Sequence, residues 1–155
     1  AWTSEFGIEH DRTALVVESN VFRYRPLLEP LRVRIGPHTN LRDLLRLYLG
    51  ASVTGTELDV SAAPTVAAEM GELANRIRMV SDTEFAAEIA VTPSVRVRAL
   101  GDVDEDLYEA AARSGSVVLD RPVLPDGRRE LLPMLLEQAV TTTEHRFGYI
   151  HGTTP

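Results

Sequence analysis

Two glycine-led segments carry the residue types from which a phosphate-binding loop could be built: Gly36-Pro37-His38-Thr39-Asn40 and Gly101-Asp102-Val103-Asp104-Glu105. A nucleotide site of the α/β kind needs glycines after a strand, so that backbone N–H groups at a helix start can approach a pyrophosphate. Each segment has a first glycine and lacks the second and third. In the second, Asp102, Asp104, Glu105 and Asp106 would repel a dianionic ligand just where the helix dipole should attract it. Dinucleotide binding by this chain is therefore not expected. The run Val117-Val118-Leu119-Asp120 followed by Pro122 has the outline of a phosphoacceptor strand end, but that chemistry calls on a lysine and an acidic pair after the first strand. The chain has no lysine, and Gly36-Pro37-His38 stands where the acidic pair should be. Asp120 reads more simply as a capping or turn residue. Of the four histidines, His10, His38, His145 and His151, the last two stand six apart, a spacing that does not put both rings on one helical face. Serine, histidine and aspartate occur without a nucleophile-elbow pattern to organise them. No catalytic, cofactor-binding or metal-ligating residue is expected.

Composition removes further chemistry. All 16 basic residues are arginine, cysteine is absent, and the 155 residues carry a net charge of -7. Without cysteine there is no thiolate nucleophile, disulfide, iron–sulfur cluster or Cys-type zinc site. Without lysine there is no Schiff base and no Walker lysine. The acidic balance argues against nucleic acid, whose binding rests on phosphate neutralisation. No apolar run reaches a transmembrane length, and the first residues lack the basic start and apolar continuation of a targeting signal, so a cytoplasmic location is expected. The start at Ala1-Trp2, without an initiator Met, suggests a piece cut from something longer. A chain near 150 residues buries about 68–70% of its unfolded surface, enough for one core without disulfides or a metal.

The elements that would have to position any site follow from periodicity. Residues 1–30 read as an N-terminal arm or linker from a preceding module, with Asn20–Pro26 alternating as an extended strand before Pro26 and Pro30. From Leu31 the units are regular. Leu31–Ile35 is a strand. A helix follows with the stripe Leu41, Leu44, Leu45, Tyr48, capped by Thr39 or Asn40 and ended by Gly50 and Gly55. Glu57–Ser61 is a second strand, and Ala62–Ala74 is a helix or an irregular crossover. Arg76–Val80 is a strand, and a helix capped by Asp82 carries Phe85, Ala86, Ile89 and Ala90. Val95–Ala99 is a strand, and Asp102 is the expected N-cap of a helix with Glu105 at its third position. Val117–Asp120 reads as a buried last strand. After Pro125-Asp126-Gly127 a final helix carries Leu131, Leu132, Leu135, Leu136 and Ala139, which tolerates Pro133 only in its first turn.

Strands alternating with helices predict a Rossmann-like three-layer α/β sandwich with a mainly parallel sheet over residues 31–148, and a tail at 149–155. Arginine recurs at every second position of three strands, Arg32/Arg34, Arg76/Arg78 and Arg96/Arg98. Either these side chains meet acidic helices or they form a basic strip facing a partner.

Three segments together resemble one family: Asn20–Leu27, the strand–helix pair beginning Val33-Arg34-Ile35-Gly36, and the terminal Leu135–Gly148 with its Glu137-Gln138, Thr143, His145-Arg146 and Gly148. They resemble the region beyond the aldehyde dehydrogenase module in long forms of proline utilization A, the bifunctional proline catabolic enzyme. The resemblance covers about Trp2 to Gly148 and is weakest over Ala62–Ala74. It implies a C-terminal domain with a degenerate aldehyde dehydrogenase nucleotide-binding fold, without cofactor or nucleophile of its own. FAD and NAD would be held elsewhere in the full-length oxidoreductase, which joins a proline dehydrogenase to an L-glutamate gamma-semialdehyde dehydrogenase. The partner it implies is the preceding aldehyde dehydrogenase module, whose site the domain would cover in support of substrate channelling; a homo-oligomer is also conceivable. Glu137, Gln138, Thr143, His145, Arg146 and Gly148 are the interdomain candidates on this reading. The other reading of the same residues is a helix end where His145 and Arg146 complement the dipole. An independent Rossmann-type nucleotide or small-molecule domain, or a regulatory or oligomerisation module of another enzyme, stays open on the fold alone.

Overall fold

Leu31, Val33 and Ile35 alternate with arginines, so one side of their strand is apolar and the other is built for charge. The computed structural model describes residues 1–13, 18–143, 145–146 and 149–150. A π-helical turn, Trp2–Phe6, precedes β1 (His10–Asp11) and the nine-residue β2 (Glu18–Pro26). Then come β3 (Leu31–Ile35), α1 (Leu41–Thr54), β4 (Leu58–Ala62), α2 (Pro64–Glu69), a 3-10 segment (Gly71–Arg76), β5 (Arg78–Met79), α3 (Asp82–Val91), β6 (Arg96–Leu100), α4 (Glu105–Ser114) and β7 (Val117–Leu119). A short α5 (Gly127–Leu131) and a 3-10 turn (Leu132–Met134) lead into β8 (Leu135–Thr143), followed by the antiparallel pair β9 (His145–Arg146) and β10 (Tyr149–Ile150).

Five strands form a parallel sheet in the order β5-β4-β3-β6-β7. Strand order reverses between β3 and β6, as in a Rossmann-like fold. On one face Leu31, Val33 and Ile35 pack with Leu44 and Leu47 of α1 and Val66 and Ala67 of α2. On the other, Val95 and Val97 pack with Phe85 and Ile89 of α3 and Leu107, Ala110 and Ala111 of α4. The three layers are those the periodicity predicts.

Several local expectations are corrected. The cap of α1 is Asn40, whose side chain accepts from the Arg42 N–H, and only Gly55 (φ 76°) ends the helix. Gly50 sits inside it, where a Cβ would lie 3.1 Å from the Met134 sulfur. Ser81, in a reciprocal box with Glu84, caps α3 in place of Asp82, because the Asp82 carboxylate is engaged by Arg34. Asp104 caps α4 in place of Asp102, whose backbone is tied to the β3 loop. The stretch 62–74 is a short helix begun by Pro64 and continued as 3-10. The strand expected from Arg76 begins at Arg78. β7 is an edge strand with Val117 53% exposed, not a buried one.

The largest correction is the final helix. It stops at Leu131, and the chain is extended from Leu135. Pro133 has no N–H to continue the helix, the run Val140-Thr141-Thr142-Thr143 favours extended backbone, and β2 offers a partner along nine residue pairs.

The strand arginines meet carboxylates and carbonyls. Arg34, 1% exposed, donates to Asp82 (2.6 and 3.2 Å) and to the Val80 carbonyl (3.1 Å), and stacks over Phe85 at 4.9 Å. Arg98, 4% exposed, donates to Glu130 (3.1 and 3.2 Å) and to the carbonyls of Leu119 (2.9 Å) and Arg121 (2.6 Å). Arg96 clasps the Pro133 and Leu135 carbonyls, both at 2.8 Å. Asp59 is shared by Arg32 and Arg78, and Arg78 also meets Glu88 at 2.8 Å through two nitrogens.

Two outcomes follow. Arg98→Met leaves the half-buried Glu130 without its cation and the Leu119 and Arg121 carbonyls without its N–H donors; it should cost ~3 kcal/mol in urea unfolding, and adding Glu130→Leu should recover part of the loss. Burial acts to raise the Asp59 carboxyl, but the hydrogen bonds from Arg78 and Arg32 outweigh it and hold the group below the ordinary aspartate range. A depressed folded value means the stability is fully present above the unfolded pKa, about 3.9, and is lost as pH falls through the lower folded one. The stability advantage over Asp59→Asn, followed by denaturant melts, should therefore shrink below about pH 4.

Candidate interdomain interface

In an open α/β sheet the ligand crevice lies at the carboxyl ends of the strands, where the order reverses. Here that point falls between the loops after β3 and β6, the same two glycine-led segments singled out above. The loops are laced together by backbone. Gly36 N–H donates to the Leu100 carbonyl (2.8 Å) and Asp102 N–H to the Pro37 carbonyl (3.0 Å). The Thr39 hydroxyl reaches the carbonyls of Gly36 (2.7 Å) and Leu100 (2.9 Å), and His38 Nδ1 lies 2.8 Å from the Asp102 carboxylate. The glycines serve this closure. A Cβ on Gly36 would fall 1.6 Å from the Asp102 carbonyl oxygen, and one on Gly101 (φ 68°) 2.2 Å from that of Pro37. The close approach that a pyrophosphate would need is taken by the chain's own backbone. Among the described residues there is no group of three His, Asp or Glu side chains placed to hold a metal ion.

The terminal candidates lie elsewhere. β8 pairs antiparallel with β2 along its whole length and is the outer strand of the three-stranded sheet β1-β2-β8. Glu137 stands opposite Tyr24, Gln138 opposite Arg23 and Thr143 opposite Glu18. Gln138 Oε1 accepts from Arg23 Nε at 2.7 Å, Arg23 pairs with Glu9 at 2.7 Å, and the Thr141 hydroxyl donates to Asn20 at 2.8 Å. Phe6, Tyr24 and Phe22 meet edge to face, with ring centroids 4.7 and 5.2 Å apart. His145 and Arg146 form β9, with Arg146 opposite Tyr149, and therefore do not end a helix. Gly148 lies outside the described residues.

One end of this ribbon is fixed and the rest is exposed. Leu135 is buried, the Met134 carbonyl accepts from the Thr56 hydroxyl (2.6 Å) and the Leu27 N–H (3.3 Å), and Arg128 holds Glu5 at 2.8 Å. Beyond Leu136, β8 is exposed except at Val140, and among the described residues no strand pairs with its outer edge. Such an edge offers unpaired backbone donors and acceptors to another chain segment. The register residues Arg23 and Tyr24, and the clasp residue Arg96, are absent from the sequence-derived set. The alternation of Asn20–Pro26 beside a Thr-rich terminal run carries the signal for this pairing.

No protein-family model and no curated protein matches the sequence. Among solved structures the chain is similar to Proline Utilization A (PutA) from Corynebacterium freiburgense, at 45% identity with a TM-score of 0.71. The match covers 96% of this chain and 13% of that one, so the resemblance drawn from residues extends over nearly every position here and over a small part of the relative.

The closed crevice predicts a steep glycine dependence. Gly36→Ala and Gly101→Ala must force the two loops apart and should each lower stability by about 2–3 kcal/mol in thermal melts. Gly127→Ala, with open space around the added Cβ, should be neutral or stabilising by up to about 1 kcal/mol.

Proposed function

We propose that this chain, a domain akin to part of proline utilization A, serves as the non-catalytic C-terminal domain of a long-form bifunctional enzyme that oxidises proline to glutamate. Its task is to cover the aldehyde dehydrogenase site of the same polypeptide and to help close the cavity through which the semialdehyde intermediate passes. The observation that carries this reading is the ribbon of β2 and β8, rooted in the domain at Leu135 and, among the described residues, bare along its outer edge. A strand presented in this way can add to a sheet of a neighbouring module through main-chain hydrogen bonds. The closed loops at the switch point support the non-catalytic part of the proposal, in which FAD and NAD are bound by other modules. The domain makes and breaks no bonds. It excludes water and limits escape of the intermediate, which is a positioning effect. Glu137, Gln138 and Thr143 on β8, with His145, Arg146 and Gly148 beyond it, are the residues proposed to meet the partner. A cytoplasmic setting suits such an enzyme.

The test is made in the full-length enzyme. Ala139→Glu with Thr142→Glu places charge at two exposed positions of the ribbon, and should reduce coupled conversion of proline to glutamate by about tenfold or more while proline oxidation stays as in the parent. Unchanged coupled kinetics would overturn the proposal. A saturable thermal shift of the chain with NAD or FAD would favour an independent nucleotide-binding domain instead.

A further inference from the structure

Helix α1 buries one face and leaves a second apolar face bare. Leu44, Leu47, Ala51 and Thr54 are buried, whereas Leu41, Leu45, Leu49 and Val53 are 46%, 50%, 66% and 39% exposed. The latter four stand at successive i+4 positions, so they line up as a single ridge. A helix with one apolar face would place charge there. Beside the ridge a groove of about 230 Å³ runs between α1 and α5, where Leu49 and Val53 meet Leu124, Pro125 and Leu131, with Arg46 and Glu130 also in its lining.

We infer that this ridge is a second docking face, distinct from the ribbon, and that it receives an apolar helix from another part of the same polypeptide. An i+4 ridge seats most readily in the matching groove of a second helix crossing at about −50°. Size decides between a tethered helix and a second copy of the chain. The ridge offers on the order of a few hundred Å² of apolar surface. A freely associating partner needs about 800 Å² on each side. A contact too small for free association holds when a linker supplies a millimolar effective concentration. The matched relative supplies the length, since this chain covers only 13% of it. The inference rests on the proposed place of this domain in such a polypeptide.

The experiment uses single cysteines in the full-length enzyme, at Leu49→Cys on the ridge, Leu45→Cys as a second ridge position, Thr142→Cys on the ribbon and Glu72→Cys as an exposed control. Maleimide labelling is followed peptide by peptide by mass spectrometry. Both ridge cysteines should react about tenfold more slowly than the control, at high and low protein concentration alike, because thiol labelling follows access. Ridge cysteines that react as fast as the control overturn the inference, and protection of Thr142→Cys in the same experiment leaves the ribbon reading standing. Protection that disappears on dilution assigns the ridge to a second copy and also overturns it.

Discussion

The arrangement of this domain turns on the arginines of β6. Arg96 and Arg98 project from a central strand toward the face where apolar side chains would ordinarily pack. There they collect the carbonyls of Leu119, Arg121, Pro133 and Leu135 and the carboxylate of Glu130. A buried carbonyl left without a donor costs about 1–3 kcal/mol, so the strand ends and irregular stretches on either side of α5 can lie against a sheet only if something supplies donors. The guanidinium, with five N–H groups in a fixed fork, does so from one residue. The ribbon that β8 forms with β2 inherits its direction from that clasp, because Leu135 is both its first residue and one of the carbonyls held.

The opposite face follows the same logic with different partners. Arg34 ties β3 to the first turn of α3 through Asp82 while stacking on Phe85, and Asp59 is held between Arg32 and Arg78. A sheet carrying charge on both faces stays packed because the two buried guanidinium groups, Arg34 and Arg98, each donate to a carboxylate and to backbone carbonyls, and Arg34 also stacks on Phe85. The exclusive use of arginine is intelligible here. A single ammonium cannot bridge two carbonyls and a carboxylate in one plane, and it is more strongly hydrated when buried.

The sheet order and helix starts are those of a nucleotide-binding α/β fold, yet the point where such a fold takes its ligand is occupied by two of the domain's own loops. Gly36 and Gly101 keep the backbone bare, as in a phosphate-binding turn, but what approaches is another stretch of main chain. The acidic residues Asp102, Asp104 and Glu105 sit at that point without conflict, Asp102 beside His38 and Asp104 capping α4.

Residue pattern alone determined the alternation of strand and helix, the layered α/β class and the demand that the strand arginines find acceptors, because each depends on neighbours within a few positions. Missing cysteine and lysine set the limits of the chemistry in the same direct way. Only the tertiary structure decided that the leucine-rich stretch 131–136 leaves its helix at Pro133, since the strand that claims β8 lies 115 residues away, as the bond between Arg23 and Gln138 measures. It likewise chose Asp104 over Asp102 and Ser81 over Asp82 as caps, because the two rejected carboxylates are drawn off by His38 and Arg34 from distant parts of the chain. The closing of the crevice belongs to the same class. A glycine at 36 is visible in a sequence, but what presses against it is set by where the loop after β6 arrives.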